Sequence, residues 1–417
     1  MRKLSLLFAL VPLLCTDVEA QITVEDYRRE VASYSRRLHI AHEESLAAAE
    51  IVGKSRTGYL PELSVGGDFD YSFRHAQGVR AWNFALRPRL VQLLYGGGGV
   101  QAEVRRAELS RDIALCNEQF AEDEVRYAAD YAYWNLSAMG QYLDAMREYV
   151  AIVSSLMTIV EWRFREGYIS KGDVLMIEAR MSEAEYGLVT AEQNFEVALH
   201  NFNILRGAMG EESVVLTQSI LDSIPMPLRI STDEVLLCRS DIYAARLGVA
   251  AAEEGVRQAA APFNPRLEVG VEGAWSPYSP NVTGRTRIDG SLFVGVSVPI
   301  FHWGERRRAT SAARAEVRRS EWQVAQLRDD ILREELNGWT NLVETSAQVN
   351  STTKSLRIAG ENLELSTYSY SEGLTTILDV LQAQLSWIQL YTNAITARYH
   401  YALSVAEYER VTARRVD

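Results

Sequence analysis

One twelve-residue pattern occurs twice in this chain, and this repeat restricts the possible fold more than any other feature. Residues 164–175 read FREGYISKGDVL and residues 370–381 read YSEGLTTILDVL, with an aromatic residue, Glu-Gly and Asp-Val-Leu at identical spacing. Each copy follows one helical pattern of polar and apolar residues and opens another, which predicts that the glycines form the turns of two helical hairpins. A repeat of this kind indicates a tandem duplication.

In both copies an aspartate follows a hydroxyl residue by three positions. Ser170 precedes Asp173, and Thr376 precedes Asp379. This is the spacing of a capping box at the start of a helix. The simplest role of each carboxylate is therefore to stabilise a helix N-terminus. Both hairpins are predicted to turn in the same way.

The N-terminal segment is typical of exported proteins. A basic start and an apolar run over residues 2–14 precede the small residue Ala20, which predicts a signal peptide over residues 1–20. Lipidation of Cys15 is an alternative, although Leu14 stands where a lipobox has a small residue. The net charge is −12 and no basic cluster interleaves with aromatic residues, so nucleic acid is not expected as a partner.

Four segments alternate apolar and polar residues with a period of 2, which predicts β-strands. They cover residues of about 62–74, 81–93, 266–276 and 287–299, and only Phe293 breaks the alternation of the fourth segment. Each strand is about ten residues long, which is enough for a tilted strand to cross a bilayer. A soluble sandwich would explain the alternation equally well, but it would not need the long helices that flank these strands.

Long helices with coiled-coil spacing account for most of both halves. Residues 100–165 contain no proline, and Ala107, Ala114, Ala121 and Ala128 recur every seven residues, which favours close packing against another helix. The predicted halves are residues 21–210 and 232–417, joined by a mixed connecting segment over residues 211–231 that contains two prolines. No run of eighteen apolar residues follows the signal peptide, so no transmembrane helix is predicted.

The order of helix, two strands, long helix, tip and returning helix, repeated behind a signal peptide, resembles the TolC-like outer-membrane efflux protein family. Its most specific marks are Leu60-Pro61 before the first strand, Gly97 and Gly304 after the strand pairs, and the doubled tip pattern. The resemblance implies a mixed α/β membrane protein of tandem-repeat architecture, with long coiled-coil hairpins and four β-strands per chain. It also implies a homotrimer whose strands form a twelve-stranded outer-membrane β-barrel.

This resemblance implies a passive exit duct in the outer membrane of a Gram-negative bacterium, with the helical part in the periplasm. Small molecules would be pumped into it by an inner-membrane transporter, of RND or ABC type, through a periplasmic adaptor. Outer-membrane lipid would surround the strands, with an aromatic girdle at Tyr71, Phe73, Trp82, Trp275 and Tyr278. A duct for type I protein secretion is an alternative, and a non-channel periplasmic coiled-coil scaffold is an alternative of a different class.

The resemblance also implies roles for the residues of the two tips. Asp379 and Asp173 are the candidates for a periplasmic pore constriction, Asp379 for the pore itself and Asp173 for a helix start or a neighbour contact. Family members often carry a second acidic residue and a basic residue where this chain has Gln382 and Thr375, so a single acidic ring is expected. The residues expected to contact the adaptor are Gly167, Tyr168, Ile169, Gly373, Leu374 and Thr375.

Enzyme motifs are missing from the sequence. The six histidines are scattered, and neither His-Glu-x-x-His nor Gly-x-Ser-x-Gly occurs. His39 and His42 could share a helix face, but no third metal ligand stands nearby in the sequence. We therefore expect no catalytic residue, no metal and no cofactor.

Overall fold

The computed structural model describes residues 21–71, 73, 81–276 and 286–413. The predicted signal peptide, Cys15 and Tyr278 lie outside these residues. The helices are α1 Val24–Tyr34, α2 Arg36–Arg56, α3 Gly99–Arg165, α4 Lys171–Arg206, α5 Thr232–Cys238, α6 Ser240–Ala260, α7 Glu305–Ser371 and α8 Ile377–Thr412. The strands are β1 Gln21–Ile22, β2 Glu62–Tyr71, β3 Trp82–Gly96, β4 Val215–Leu216, β5 Arg266–Ser276 and β6 Arg287–Ser297.

The chain divides into two compact units, each assembled from three separate segments. The helical unit contains the described residues up to 35 together with 125–228 and 339–408. The sheet unit contains residues 36–124 and 229–338 together with the described residues from 409 onward. The units do not follow the sequence repeat, because each of them takes segments from both predicted halves.

The core of the helical unit joins the two hairpins that the tip pattern predicts. Its most deeply buried residues include Val160 of α3, Ile177 of α4 and Val380 of α8, and Leu363 of α7 is buried with them. Apolar residues at three- and four-residue spacing give each helix an apolar stripe, and the four stripes meet in one core. Both tips are therefore held by the same packed cluster.

A second cluster in the helical unit fixes the first described residues of the chain. The rings of Tyr27 and Phe202 stack with centroids 3.8 Å apart, and the Tyr133 hydroxyl donates to the Ile22 carbonyl at 3.1 Å. Strand β1 pairs in parallel with β4. Beside them Arg28 donates to both carboxylate oxygens of Asp130, at 2.5 and 2.7 Å. The first described residues of the chain are thus anchored by rings, backbone pairing and an ion pair.

The sequence pattern predicts one continuous helix from Ile22 to about Arg56 and another from Thr232 to Ala261, but each of them is broken once. Ser35 separates α1 from α2, and Arg239 separates α5 from α6 with φ −74° and ψ 128°. The Arg239 side chain is buried and bonds to Asp241 at 2.6 Å and to Glu334 at 2.7 Å. The extended backbone at Arg239 accompanies this buried ion-pair network, which periodicity alone does not reveal.

The sheet unit contains an antiparallel four-stranded sheet in the order β2-β3-β5-β6. The two predicted hairpins are adjacent through β3 and β5, and β3 extends to Gly96, beyond its predicted end. A register shift between Leu93 and Tyr95 interrupts this extension. Strands β2 and β6 form the edges of the sheet within the described residues.

One face of this sheet is apolar and exposed. Its members alternate along the strands as predicted, and most of the side chains lie open to the surroundings, including Leu63, Val65, Phe69, Tyr71, Leu90, Val271, Ile288, Leu292, Val294 and Val296. An apolar face of this size marks a surface that another apolar phase or partner covers. Among the helices of the described chain, none is long and apolar enough to cross a membrane.

Phe293, the one residue of β6 that departs from the alternation, lies on the polar face. It pairs across the sheet with Gly270. A Cβ at Gly270 would stand 2.6 Å from the Phe293 ring and 2.7 Å from the Leu90 carbonyl oxygen. The Arg89 guanidinium lies over the same ring at 5.1 Å from its centroid. Because Gly270 has no side chain, it leaves space for the apolar ring of Phe293 on the polar face.

Candidate functional site at the hairpin tips

Both tips make the same helix-ending turn. At the first tip, which follows α3, Gly167 has φ 79° and the Tyr168 N–H donates to the Arg163 carbonyl at 2.9 Å. At the second, which follows α7, Gly373 has φ 78° and the Leu374 N–H donates to the Ser369 carbonyl at 2.8 Å. Glycine adopts this left-handed conformation without the steric cost that a Cβ imposes. The glycines of the repeat are thus required by the turn.

The first aspartate closes a reciprocal capping box. The Asp173 carboxylate accepts from the Ser170 N–H at 3.0 Å, and the Ser170 hydroxyl accepts from the Asp173 N–H at 3.3 Å. The Asp173 side chain is half-buried. These bonds satisfy donors that a helix N-terminus leaves unpaired, so Asp173 has a structural role at the start of α4.

The second aspartate is exposed and is bonded differently. Its Oδ2 atom accepts from the Thr376 N–H at 3.0 Å and from the hydroxyls of Thr375 and Thr376, both at 2.6 Å. Hydrogen bonds from the Thr375 hydroxyl first, and then from Thr376, hold the pKa of Asp379 below its usual value of 3.8. Asp379 thus presents a negative charge at the surface of the tip.

The other predicted tip residues differ in their exposure. Tyr168 and Leu374 are among the exposed large apolar residues, whereas Ile169 packs partly against the core of the helical unit. Thr375 is half-buried and donates to Asp379, and Gln382 is exposed on α8. Tyr168 and Leu374 are therefore the tip side chains best placed to meet a partner.

Sequence reasoning missed a contact between the two tips. The Arg163 guanidinium lies over the Tyr370 ring, 4.8 Å from its centroid, and burial raises the pKa of the Tyr370 hydroxyl. Tyr370 is 3% exposed, whereas Phe164, its counterpart in the first copy, is 40% exposed. The signal available in the sequence was the arginine directly before Phe164, which the second copy replaces by Ser369.

The described residues of the two tips form no cluster of metal ligands. Within the described residues, no group of three or more His, Cys, Asp or Glu side chains is arranged to hold a metal ion. The arrangement instead offers exposed carboxylates, apolar side chains and rigid turns. Such a surface can bind a partner or act on passing ions through charge.

The sequence is similar to those of outer membrane efflux proteins. A family model described as outer membrane efflux protein matches residues 232–413. Outer membrane protein TolC of Escherichia coli strain K12 is 24% identical over 375 residues, covering 86% of this chain and 75% of the relative. TolC of Vibrio cholerae is 23% identical, covering 98% of this chain and 94% of the relative. Protein CyaE of Bordetella pertussis is 26% identical, covering 85% and 75%.

Solved structures share the fold over nearly the whole chain. The structure of CusC superimposes with a TM-score of 0.83 at 15% identity, covering 93% of this chain and 91% of CusC. The outer-membrane channel OprN gives a TM-score of 0.80 at 18% identity, covering 93% and 89%. The chain is thus similar to outer membrane efflux proteins over residues 232–413 and to TolC proteins over most of its length, and it shares the fold of CusC and OprN.

Proposed function

We propose that this chain is the outer-membrane exit duct of a tripartite efflux system and carries small molecules that another protein pumps. The single observation that best supports this is the four-stranded sheet, which combines an exposed apolar face with two edges unpaired in the described chain. Unpaired strand edges are not tolerated in lipid, so several copies would have to complete the sheet. Channels of this family are the chain's relatives in sequence and fold.

Three copies would supply twelve strands, an even number within the range of known outer-membrane barrels. The apolar face would then meet lipid and the polar face would line the duct. The polar face carries ion pairs such as Arg87 with Asp68 at 3.0 Å and Arg89 with Glu268 at 3.6 Å. A water-filled lumen suits these pairs, because charged side chains are costly in contact with hydrocarbon.

In this proposal Asp379 would form the periplasmic constriction. Three exposed carboxylates, one from each copy, would make an acidic ring that favours cations. The depressed pKa of Asp379 supports the role, since it keeps the side chain ionised. Asp173 would act mainly as the cap of α4 or in a neighbour contact. Gln382 and Thr375 would leave this ring without a second charged layer.

The tips would also meet a periplasmic adaptor, which connects the duct to an inner-membrane pump of RND or ABC type. Exposed Tyr168 and Leu374 supply apolar contact area next to rigid glycine turns. Tyrosine is among the residues that dominate the energy of many protein interfaces. The duct itself would perform no chemistry, because the pump supplies the energy.

The proposed function is tested by deleting the gene and restoring it on a plasmid. Loss of the chain should lower the concentration of small toxic compounds that the cells tolerate, while the set of secreted proteins stays the same. Loss of a secreted protein with unchanged tolerance would assign the duct to type I protein secretion. If neither changed and the purified protein conducted no ions, a scaffold would be the better description.

A further inference from the structure

The segment that joins β6 to α7 has no role in the function proposed so far. Together with the first turn of α7 it covers residues 298–308, which read VPIFHWGERRR and are called the junction segment here. Its apolar side chains are unusually open, with Ile300 94%, Phe301 68% and Trp303 87% exposed. Large apolar side chains presented together mark an interaction surface.

The backbone holds these side chains outward at some cost. Trp303 has φ 48° and Gly304 has φ 80°, and the left-handed region is unfavourable for a bulky residue such as tryptophan. The Phe301 and Trp303 rings meet edge to face with centroids 4.7 Å apart, while His302 turns back onto Phe263 at 5.6 Å. Backbone strain of this kind often accompanies a functional contact.

Three consecutive arginines follow the aromatic pair. Arg306, Arg307 and Arg308 are all exposed, and their guanidinium groups form no ion pair with an acidic side chain in the part of the chain described here. The three arginines do not stabilise α7, because cations are unfavourable in the first turn of a helix, where the macrodipole is positive. Their charge is therefore available to an external anion.

We propose that the junction segment binds the inner surface of the membrane that surrounds the strands, with the arginines on glycerophospholipid phosphates. This inference rests on the proposed function, which places the apolar face of the sheet in lipid. The exposed apolar row of β6 leads to Ile300, Phe301 and Trp303, and the arginines come next along the chain. A bilayer surface has its layers in the same order: hydrocarbon first, then the interface, then the headgroup phosphates.

Charge and side-chain type favour lipid over a second copy of this chain as the occupant. Tryptophan is enriched at the boundary between acyl chains and headgroups, where its ring is apolar and its N–H can bond to water or ester groups. Arginine binds phosphate through two parallel N–H donors. A row of three exposed arginines beside exposed aromatic rings fits this layered surface.

The test uses the full-length mature protein in detergent micelles and titrates phosphatidylglycerol brominated on its acyl chains. The signal is tryptophan fluorescence of the parent minus that of the Trp303→Phe variant, which isolates Trp303 from the other tryptophans. The lipid should quench this signal. The triple variant Arg306→Gln/Arg307→Gln/Arg308→Gln should need more lipid for half-quenching, by about fivefold for each charge removed.

Two controls make the result specific. Arg314→Gln/Arg318→Gln removes exposed arginines further along α7 and should leave the titration unchanged. A brominated monoacylglycerol, which has no phosphate, should quench parent and triple variant at the same concentration.

Several outcomes would overturn the inference. Quenching of Trp303 by aqueous acrylamide but not by brominated lipid would place the ring in water, and protection from both would place it against another copy. An unchanged titration in the triple variant would remove the phosphate contact. Single-channel conductance of the same preparation keeps the two proposals apart, because a conducting protein with an unquenched Trp303 refutes only this inference.

Discussion

Asp173 and Asp379 occupy equivalent positions of the repeated tip pattern, yet their carboxylates face different surroundings. Asp173 shares a reciprocal capping box with Ser170. Asp379 is exposed and receives two threonine hydroxyls on one oxygen atom. A second hydroxyl, from Thr375, distinguishes the second tip from the first, where Ile169 stands at the same position. Both copies of the repeat therefore use the aspartate to start a helix, but only the second copy leaves its carboxylate exposed.

The hydrogen bonds at Asp379 predict how channel selectivity depends on pH. Because the folded pKa is lowered, the carboxylate stays ionised at neutral pH and loses its charge only as the pH falls through that lowered value. Cation selectivity should decline as the pH falls, and the threonine donors should place this decline at a lower pH than it would have without them, although the like charges of a ring act in the opposite direction. Reversal potentials measured in planar bilayers from neutral to acidic pH provide the check.

Matched variants locate the cause of this pH dependence. Thr375→Val/Thr376→Val removes both hydroxyl donors and should move the loss of selectivity to higher pH. Asp379→Asn should abolish the pH-dependent part of the cation selectivity. Selectivity that is unchanged in Asp379→Asn would remove this residue from the pore and leave it only a role at the start of α8.

The Arg28–Asp130 pair predicts a large effect on stability. Asp130 is 2% exposed, and its burial raises the carboxyl pKa against the opposing influence of Arg28. Arg28→Met would leave a buried carboxylate unpaired and should cost about 3–5 kcal/mol. The cost should shrink as the pH falls, because a folded state with a raised carboxyl pKa gains stability when that group takes up a proton.

Thermal unfolding in detergent at two pH values measures this effect. The double variant Arg28→Met/Asp130→Leu should recover most of the lost stability, since it leaves no uncompensated charge. An Arg28→Met protein as stable as the parent at pH 8 would show that the pair contributes little.

Two glycine-to-alanine variants in the β5–β6 hairpin form a matched pair that tests the packing of the sheet. Gly270→Ala would place a Cβ 2.7 Å from the Leu90 carbonyl oxygen and 2.6 Å from the Phe293 ring, and overpacking of this kind costs about 1–3 kcal/mol. Gly290→Ala on β6 meets nothing within 4 Å and should be tolerated. The temperature at which the proposed oligomer dissociates on a gel compares the two.

Much of the architecture could be predicted from the sequence because its elements have clear periods. The two tips follow from the paired Glu-Gly and Asp-Val-Leu motifs, and the four strands follow from strict alternation. The breaks at Ser35 and Arg239 could not be predicted, since the local pattern remains helical through both. At Arg239 the break accompanies a buried network with Asp241 and Glu334, and Glu334 lies on another helix.

The difference between the two tips could not be predicted from the local sequence either. Phe164 and Tyr370 look equivalent in the repeat, but only Tyr370 lies beneath Arg163. That contact joins α3 to α7, so it depends on how distant helices pack and not on local spacing. The position of Phe293 is a comparable case, because the Gly270 opposite it becomes visible only when the strand register is known.

The whole chain combines two compact units that are each built from three segments. In a protein with a single soluble core, a sheet with unpaired edges and an exposed apolar face would be unfavourable. The unpaired edges and the exposed apolar face of this sheet in the described chain support the proposed duct, which several copies would complete. Conduction is therefore the property that the proposed assembly must have.

Single-channel recording of the purified mature protein in a planar bilayer tests that property most directly. We predict discrete conductance steps that favour cations, with weaker cation selectivity in Asp379→Ala. A correctly folded oligomer that enters the bilayer or detergent but gives no steps under any voltage would contradict the duct.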